Sequence, residues 1–323
     1  MYLLKQQPED FIVKEKSNIL LSTTGKYAIY ALQKKNYTTE KAIHLLCKYN
    51  HLQRKQIGYA GNKDKQAVTT QHISVFQGKK EYTLPKDITL TFLGYAQQPI
   101  SLGDLEGNEF TLIIRNADKK SIAKLQARMK NITNIPNYFD EQRFAKNNVA
   151  IGTCIIKGDM KDAVNLILQQ KGDYETLMKQ YLEKYPHNYV QALRKIPLKI
   201  LTMYIHAVQS AIFNSTLREY IKKNNKNIKI PLTGFGTDLD KGKISTFIKK
   251  ELKKMKITQN DFIIRTIPEL SSEGSFRDAF MDAKQFRYSI ENDELHNGKE
   301  KIKLSFFLQK GSYATIVAKF LLS

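Results

Sequence analysis

Apolar and polar positions along the chain switch between two periods. Phe11, Ile12 and Val13 form a short apolar run of strand type. Ala42, Ile43, Leu45, Leu46 and Tyr49 then recur at helical spacing, and Thr38–Thr39 before them can supply a capping oxygen. Ile73 and Val75 alternate with His72 and Ser74. Phe110, Leu112 and Ile114 alternate in the same way, after a Gly107–Asn108 pair that reads as a turn. Asp118 is placed to cap a helix carrying Ile122, Leu125, Met129 and Ile132. The middle of the chain is more helical in pattern. Pro197 precedes a long segment with Tyr204, Ala207, Val208, Ala211 and Ile212 on one face. Ile244, Phe247, Ile248, Leu252 and Met255 mark another helix with lysines opposite. Alternation returns at Ile302, Leu304 and Phe306. After Lys310–Gly311, Ser312 can cap a short last helix ending near Phe320.

This strand-rich, helix-rich, strand-rich order predicts an α+β protein with an insertion. The two ends pair into one sheet domain, residues 1–134 and 284–323, with a mixed or antiparallel sheet. Residues 135–283 form a second, mainly helical α+β domain. No linker rich in Pro, Gly or Ser marks the borders, and there is no internal repeat or low-complexity tract.

Charge changes the picture next. Lys plus Arg number 52 against 31 Asp plus Glu, a formal net charge of +21. A field of that size on a compact protein usually meets a polyanion, and nucleic acid is the first candidate. The chain is also rich in Lys, Asn and Ile, a bias that an AT-rich genome produces without functional demand. Cys47 and Cys154 are far apart and belong to no metal-binding spacing, so both read as small hydrophobes in a reducing compartment. No basic-then-apolar leader opens the chain and no run of about 18 apolar residues occurs, which points to a cytoplasmic protein with no membrane span.

The densest chemical signal is Gly58-Tyr59-Ala60-Gly61-Asn62-Lys63-Asp64-Lys65-Gln66-Ala67-Val68-Thr69-Thr70-Gln71. Gly61 gives the backbone freedom closed to other residues. Asp64 sits between two lysines on a loop at the edge of a strand, where a carboxylate can serve as nucleophile or base. Taken alone, the segment is a charged turn on a basic surface. The segment resembles the catalytic motif of the TruD family of tRNA pseudouridine synthases, A-G-x-K-D-x-x-A-x-T-x-Q. All seven fixed positions are met, by Ala60, Gly61, Lys63, Asp64, Ala67, Thr69 and Gln71. The resemblance implies that Asp64 is the catalytic residue.

Three further segments are similar to the same family. Lys5 and Pro8-Glu9-Asp10-Phe11-Ile12-Val13 resemble its opening K-x-x-P-E-D-F-x-V, which implies that Lys5 lies beside the catalytic carboxylate. Leu102-Gly103-Asp104-Leu105-Glu106-Gly107-Asn108-Glu109-Phe110, followed by Arg115, resembles L-G-x-L-x-G-N-x-F. It implies that Phe110 stacks on the target base and that Asn108 orders the loop. By composition alone Phe110 is a core phenylalanine. Pro136-Asn137-Tyr138-Phe139-Asp140-Glu141-Gln142-Arg143-Phe144 resembles P-N-Y-F-G-x-Q-R-F-G, with Asp140 and Ala145 in place of two glycines. If these glycines need positive φ, Asp140 tolerates it better than most residues, while Ala145 is less comfortable and suggests strain in the turn. Weaker similarities run to the end, at Tyr204–Asn214, Pro231–Gly234, Gly274–Arg277 and Gly311–Thr315.

The resemblance implies a pseudouridine synthase catalytic domain with an inserted TRUD domain. It implies tRNA as partner, its uridine 13 as the usual target, and a second wall of a basic cleft from the helical domain. It implies Asp64 as the catalytic group and Lys5, Lys63, Asn108, Phe110, Phe139 and Arg143 as substrate contacts. No P-loop, zinc signature or dinucleotide pattern calls for a cofactor or metal, and nothing calls for an obligate protein partner. Two alternatives stay open: a non-catalytic RNA-binding protein that keeps the fold, and a DNA-binding or nuclease function, which lacks a cluster of metal-binding carboxylates.

Overall fold

A computed structural model describes residues 2–323 except 130, 131, 171 and 241. The chain divides into two compact units, residues 1–135 with 281–323, and residues 136–280.

The first unit is built on a mixed sheet. Its long strands are β1 (Phe11–Ser17), β2 (Tyr27–Lys35), β3 (Val68–Phe76), β4 (Ile88–Ala96), β5 (Leu105–Ala117), β6 (Lys284–Asn292) and β7 (Glu300–Gln309). They lie side by side in the order β6-β7-β5-β1-β3-β2-β4. The β1–β3 pair is parallel, with Ile12 beside Val68, and the other neighbours are antiparallel. Short strands Leu3–Leu4 and Ile57–Tyr59 add to β5 and β3. Alternation decides which side chains are buried. Ala28, Tyr30 and Leu32 of β2 and Ile73 and Val75 of β3 pack on Ala42, Ile43 and Leu46 of the helix Thr39–Asn50. That helix is capped by the Thr38 hydroxyl, which accepts from the Lys41 N–H.

The two chain ends are held in one sheet by buried ions as well as strand pairing. Arg115 Nε donates to Asp10 at 2.9 Å and Nη1 to Asp293 at 2.8 Å, joining β5 to the residues before β1 and after β6. Removing one partner of such a buried pair leaves an uncompensated charge and costs about 3–5 kcal/mol, so Arg115, Asp10 and Asp293 are retained as a set.

The second unit is mainly helical. Its helices are Asn148–Lys157, Met160–Leu168, Asp173–Lys184, Tyr189–Leu193, Leu198–Ile221 and Lys243–Met255, beside a two-stranded ribbon of Lys229–Leu232 and Ser275–Asp278. The long helix Leu198–Ile221 is central to a core of Ile151, Ile155, Leu201, Ile205, Val208, Ile212 and Ile248. Gly152 lets the helix Asn148–Lys157 approach it closely, since a Cβ there would strike the Tyr204 carbonyl.

Several local expectations are corrected. Gly107 and Asn108 form no turn but lie inside β5, where a Cβ on Gly107 would meet the Leu308 carbonyl and the Phe307 ring; the glycine serves close strand packing. The Asp118-capped helix ends at Arg128 and Ile132 lies beyond it in a turn, with residues 130 and 131 outside the described residues. Tyr49 is exposed, because helical spacing alone does not fix the width of the buried stripe. Ser312 does not cap the last helix, which runs Ala314–Leu322 from Tyr313.

Candidate functional site

Asp64 lies on the loop between Ile57–Tyr59 and β3, and 45% of its side chain is exposed. Almost everything around it holds the main chain still. Thr39 Oγ1, at the start of the helix Thr39–Asn50, accepts from the Lys63 N–H at 2.9 Å and donates to Gln71 Oε1 at 2.7 Å. Gln71 in turn donates to the Gly61 carbonyl at 3.0 Å. Ala60, Ala67, Thr69 and Gln71 are all buried. The motif therefore consists of one half-exposed carboxylate and a frame that fixes its loop.

Three lysines surround this loop and do different work. Lys5 comes from the segment between the short strand Leu3–Leu4 and β1: its Nζ is 3.2 Å from Asp64 Oδ2 and 3.7 Å from the centre of the Phe11 ring. Its own φ is +54°, an uncommon backbone state for lysine, and Gln66 Nε2 donates to its carbonyl at 2.9 Å. Lys63 turns inward, its Nζ 2.5 Å from Glu15 Oε2, with both side chains almost wholly buried. Lys34, which the motif does not contain, is 1% exposed and donates to main-chain oxygens of Tyr37 (2.6 Å) and Asp64 (2.8 Å). Burial pushes its ammonium down to about 8, against the opposing pull of the Asp64 charge.

Glu15 is the centre of the frame behind the loop. Burial by itself would raise its carboxyl, but hydrogen bonding from His72 and the Lys63 charge outweigh it and hold it below the usual 4.5. The His72 N–H donates to Glu15 Oε1 at 3.2 Å, and the His72 ring meets Ser17 Oγ at 2.8 Å. Serine, histidine and glutamate thus adjoin, yet Ser17 and Glu15 both approach Nδ1 of the ring. A hydrolase relay needs them on opposite nitrogens, so this trio is a scaffold.

An aromatic row continues from Lys5 across the sheet. Phe11 meets Phe110 edge to face at 6.0 Å, Phe110 lies 5.9 Å from Phe306, and Phe306 stacks on Phe286. Phe110 is 8% exposed and lines a groove of about 420 Å³ with Ile12, Lys14, Thr111, Arg287 and Phe306. Asn108 is two residues along the same strand face, beside Glu15 in register, and its Oδ1 is buried without a hydrogen-bond partner among the described residues.

In the second unit, Phe139 and Arg143 belong to a separate cluster. Phe139 is buried, its main chain held at both ends by Asn214. Its ring packs edge-on against Phe213, with the Arg277 guanidinium 4.2 Å and that of Arg143 5.6 Å from its centre. Arg277 also donates to the Asn137 carbonyl at 2.9 Å. Asp140 takes φ −76° and accepts from the Glu141 N–H, capping the short 3-10 helix Glu141–Asn147. Neither Asp140 nor Ala145 has positive φ, so the expected strain at the missing glycines does not arise.

Sequence reasoning missed Glu15, Lys34, Thr39, His72 and Arg277. One signal was available for Lys34: it continues the core-facing series Ala28, Tyr30, Leu32. Among the described residues no group of three His, Cys, Asp or Glu side chains is gathered as for a metal, and no helix is long and apolar enough to cross a membrane.

The sequence model of tRNA pseudouridine synthase D (TruD) matches residues 2–176, 167–227 and 217–320. A probable tRNA pseudouridine synthase D of Methanococcoides burtonii is 28% identical over 98% of this chain and 92% of its own. That of Nanoarchaeum equitans is 29% identical over 98% of this chain and 97% of its own. The crystal structure of a Methanosarcina mazei protein assigned to tRNA pseudouridine synthase D superposes with TM-score 0.76 at 26% identity, covering 99% of this chain and 93% of that one.

Proposed function

The chain belongs to the tRNA pseudouridine synthase D family, and from that premise we propose that it isomerises uridine to pseudouridine in tRNA, at uridine 13, with Asp64 as the catalytic carboxylate. The observation that carries this reading is the Asp64 side chain: half exposed, beside the Lys5 ammonium, on a loop whose main chain is fixed from several directions. A group aimed outward by a rigid frame suits chemistry on a nucleotide lifted from its stack.

Asp64 acts on the ribose, as nucleophile at C1′ or as base at C2′. The bond from C1′ to N1 breaks, the uracil turns in place, and C1′ bonds to C5. N1 gains a proton and C5 loses one, so the change is an isomerisation and needs no redox partner. Phe110, with the groove beside it, supplies a platform for the base; stacking returns roughly 1–3 kcal/mol per base. Lys5 offers its ammonium to Asp64 and to RNA phosphate. Asn108, its Oδ1 buried on the strand beside Glu15, orders the chain next to Phe110, and Arg143 contacts the RNA. Lys63 and Phe139 face inward, and we assign them to the frame. The net charge of +21 serves phosphate binding, which weakens steeply with salt.

The test is to incubate unmodified tRNA with the protein and with Asp64→Ala, then map pseudouridine chemically. The wild type converts one uridine, and the variant binds tRNA without converting it. A wild type that binds but never converts identifies an RNA-binding protein instead, and a variant as active as wild type removes Asp64 from the chemistry.

A further inference from the structure

We propose that Lys34 is a positioning residue for the reaction: its buried ammonium fixes the peptide groups on both sides of Asp64 and so aims the catalytic carboxylate. The inference rests on the assignment of Asp64 above.

Lys34 lies in the interior of the sheet, between Thr69 of β3 and Ile88 of β4 in register. It occupies a position that β2 otherwise fills with core side chains, Ala28, Tyr30 and Leu32. An ammonium there is costly, because removing an ion from water costs several kcal/mol even after relaxation. No carboxylate lies within ion-pair distance of it among the described residues. A packed methionine or leucine would fill the space without that cost, so core filling does not account for a lysine.

What the lysine does instead is satisfy main-chain oxygens. Its three donors face the carbonyls of Tyr37 at 2.6 Å, Asp64 at 2.8 Å and, more distantly, Lys63 at 3.5 Å. Hydrogen bonds from a charged donor are the stronger kind. Tyr37 leads into the helix Thr39–Asn50, whose Thr39 hydroxyl already holds the Lys63 N–H. The main chain at Lys63–Asp64 is therefore held by its N–H from one side and by two carbonyls from the other. Both anchors sit where the helix begins. With its main chain held in this way, the Asp64 side chain is met by Lys5 from the outside. The charged groups acting on Lys34 are Asp64, which favours its charge, and Lys63, which opposes it. The flanking Thr69 and Ile88 do not titrate.

The test uses the full chain, unmodified tRNA, and the variants Lys34→Met and Lys34→Arg, with Asp64→Ala alongside. Single-turnover rate, tRNA Kd and amide exchange in residues 61–66 are measured. A misplacement near 1 Å can cost about 10²-fold, so Lys34→Met loses about that in rate while Kd stays within about 2-fold and exchange in residues 61–66 quickens. Lys34→Arg, permanently charged, recovers most of the rate at neutral pH. The wild-type rate falls as pH rises through about 8, where Lys34 loses its proton; Lys34→Arg keeps its rate there. A folded Lys34→Met with wild-type rate and exchange overturns the proposal, and so does an alkaline fall that is the same in wild type and Lys34→Arg. If Lys34→Met does not fold, the pH comparison decides. If the wild type makes no pseudouridine, the assignment of Asp64 fails, while unchanged exchange in Lys34→Met separately refutes the clamp.

Discussion

The Asp64 loop and the Phe139–Arg143 turn are both short, charged and aromatic-flanked, yet they are built in opposite ways. Around Asp64 the contacts are polar and directed at the main chain: Thr39, Gln71 and Lys34 hold the backbone while the carboxylate stays half exposed. Around Phe139 the ring itself is buried, clasped by Phe213 and two guanidinium groups, and the neighbouring Asp140 is used up as a cap. The first arrangement spends its structure on aiming one side chain at solvent. The second makes a local core. Substitution of Asp64 should damage chemistry with the fold intact, and substitution of Phe139 should damage the fold.

The largest expected effect is at Asp64. Asp64→Ala should reduce pseudouridine formation by more than about 10³-fold, the usual scale for loss of a catalytic group that acts as part of a unit, with melting temperature near wild type. Phe139→Ala should do the reverse. Losing a buried aromatic costs about 3–5 kcal/mol, seen as a lower unfolding midpoint, while molecules still folded keep their single-turnover rate. A rate loss at Phe139 as deep as that at Asp64 would break the comparison.

Glu15→Gln sharpens it from inside the first region. It leaves the buried Lys63 ammonium without its partner, and breaking such a pair costs about 3–5 kcal/mol. Thermal denaturation should show that loss at neutral pH. The sign with pH follows from the lowered carboxyl of folded Glu15: its stabilisation is complete above the ordinary 4.5 and fades as pH falls through the folded value. The gap between variant and wild type should therefore narrow in acid. Phe110→Ala should be milder, about 1–3 kcal/mol in tRNA reaction efficiency if the ring carries the base, read as kcat/KM. Smallest is Glu9→Gln, which opens the exposed pair with Lys35; a solvent-screened pair contributes little, and denaturant titration should barely separate it from wild type.

Some of this was legible in the sequence because it is local. The helix after Thr38 and the cap at Asp118 follow from spacing and one side-chain oxygen. Asp64 stands out through a motif dense enough to recognise without any structure. Other features were misread for the same reason. Gly107–Asn108 has turn chemistry, but its glycine answers to the neighbouring strand β7. Asp140 and Ala145 suggested strain, yet the chain there takes ordinary backbone angles.

The adjacent lysines 34 and 35 mark where the sequence by itself stops. It determined that two ammonium groups stand side by side there; that they end a strand is seen only in the structure. Only the tertiary structure decided their fates: Lys35 reaches solvent and Glu9, while Lys34 enters the core behind Asp64. Side chains on a strand alternate faces, so a register shift of one residue would exchange the two roles. That register comes from pairing with β3 and β4, distant in sequence. Lys5, 59 residues from Asp64, was set beside it in advance only by the motif resemblance; physically the two are brought together by strand pairing in the finished sheet. Sequence determined which groups were available for chemistry; long-range register decided which of them meet, because no local periodicity encodes a contact between strands that the chain itself sets far apart.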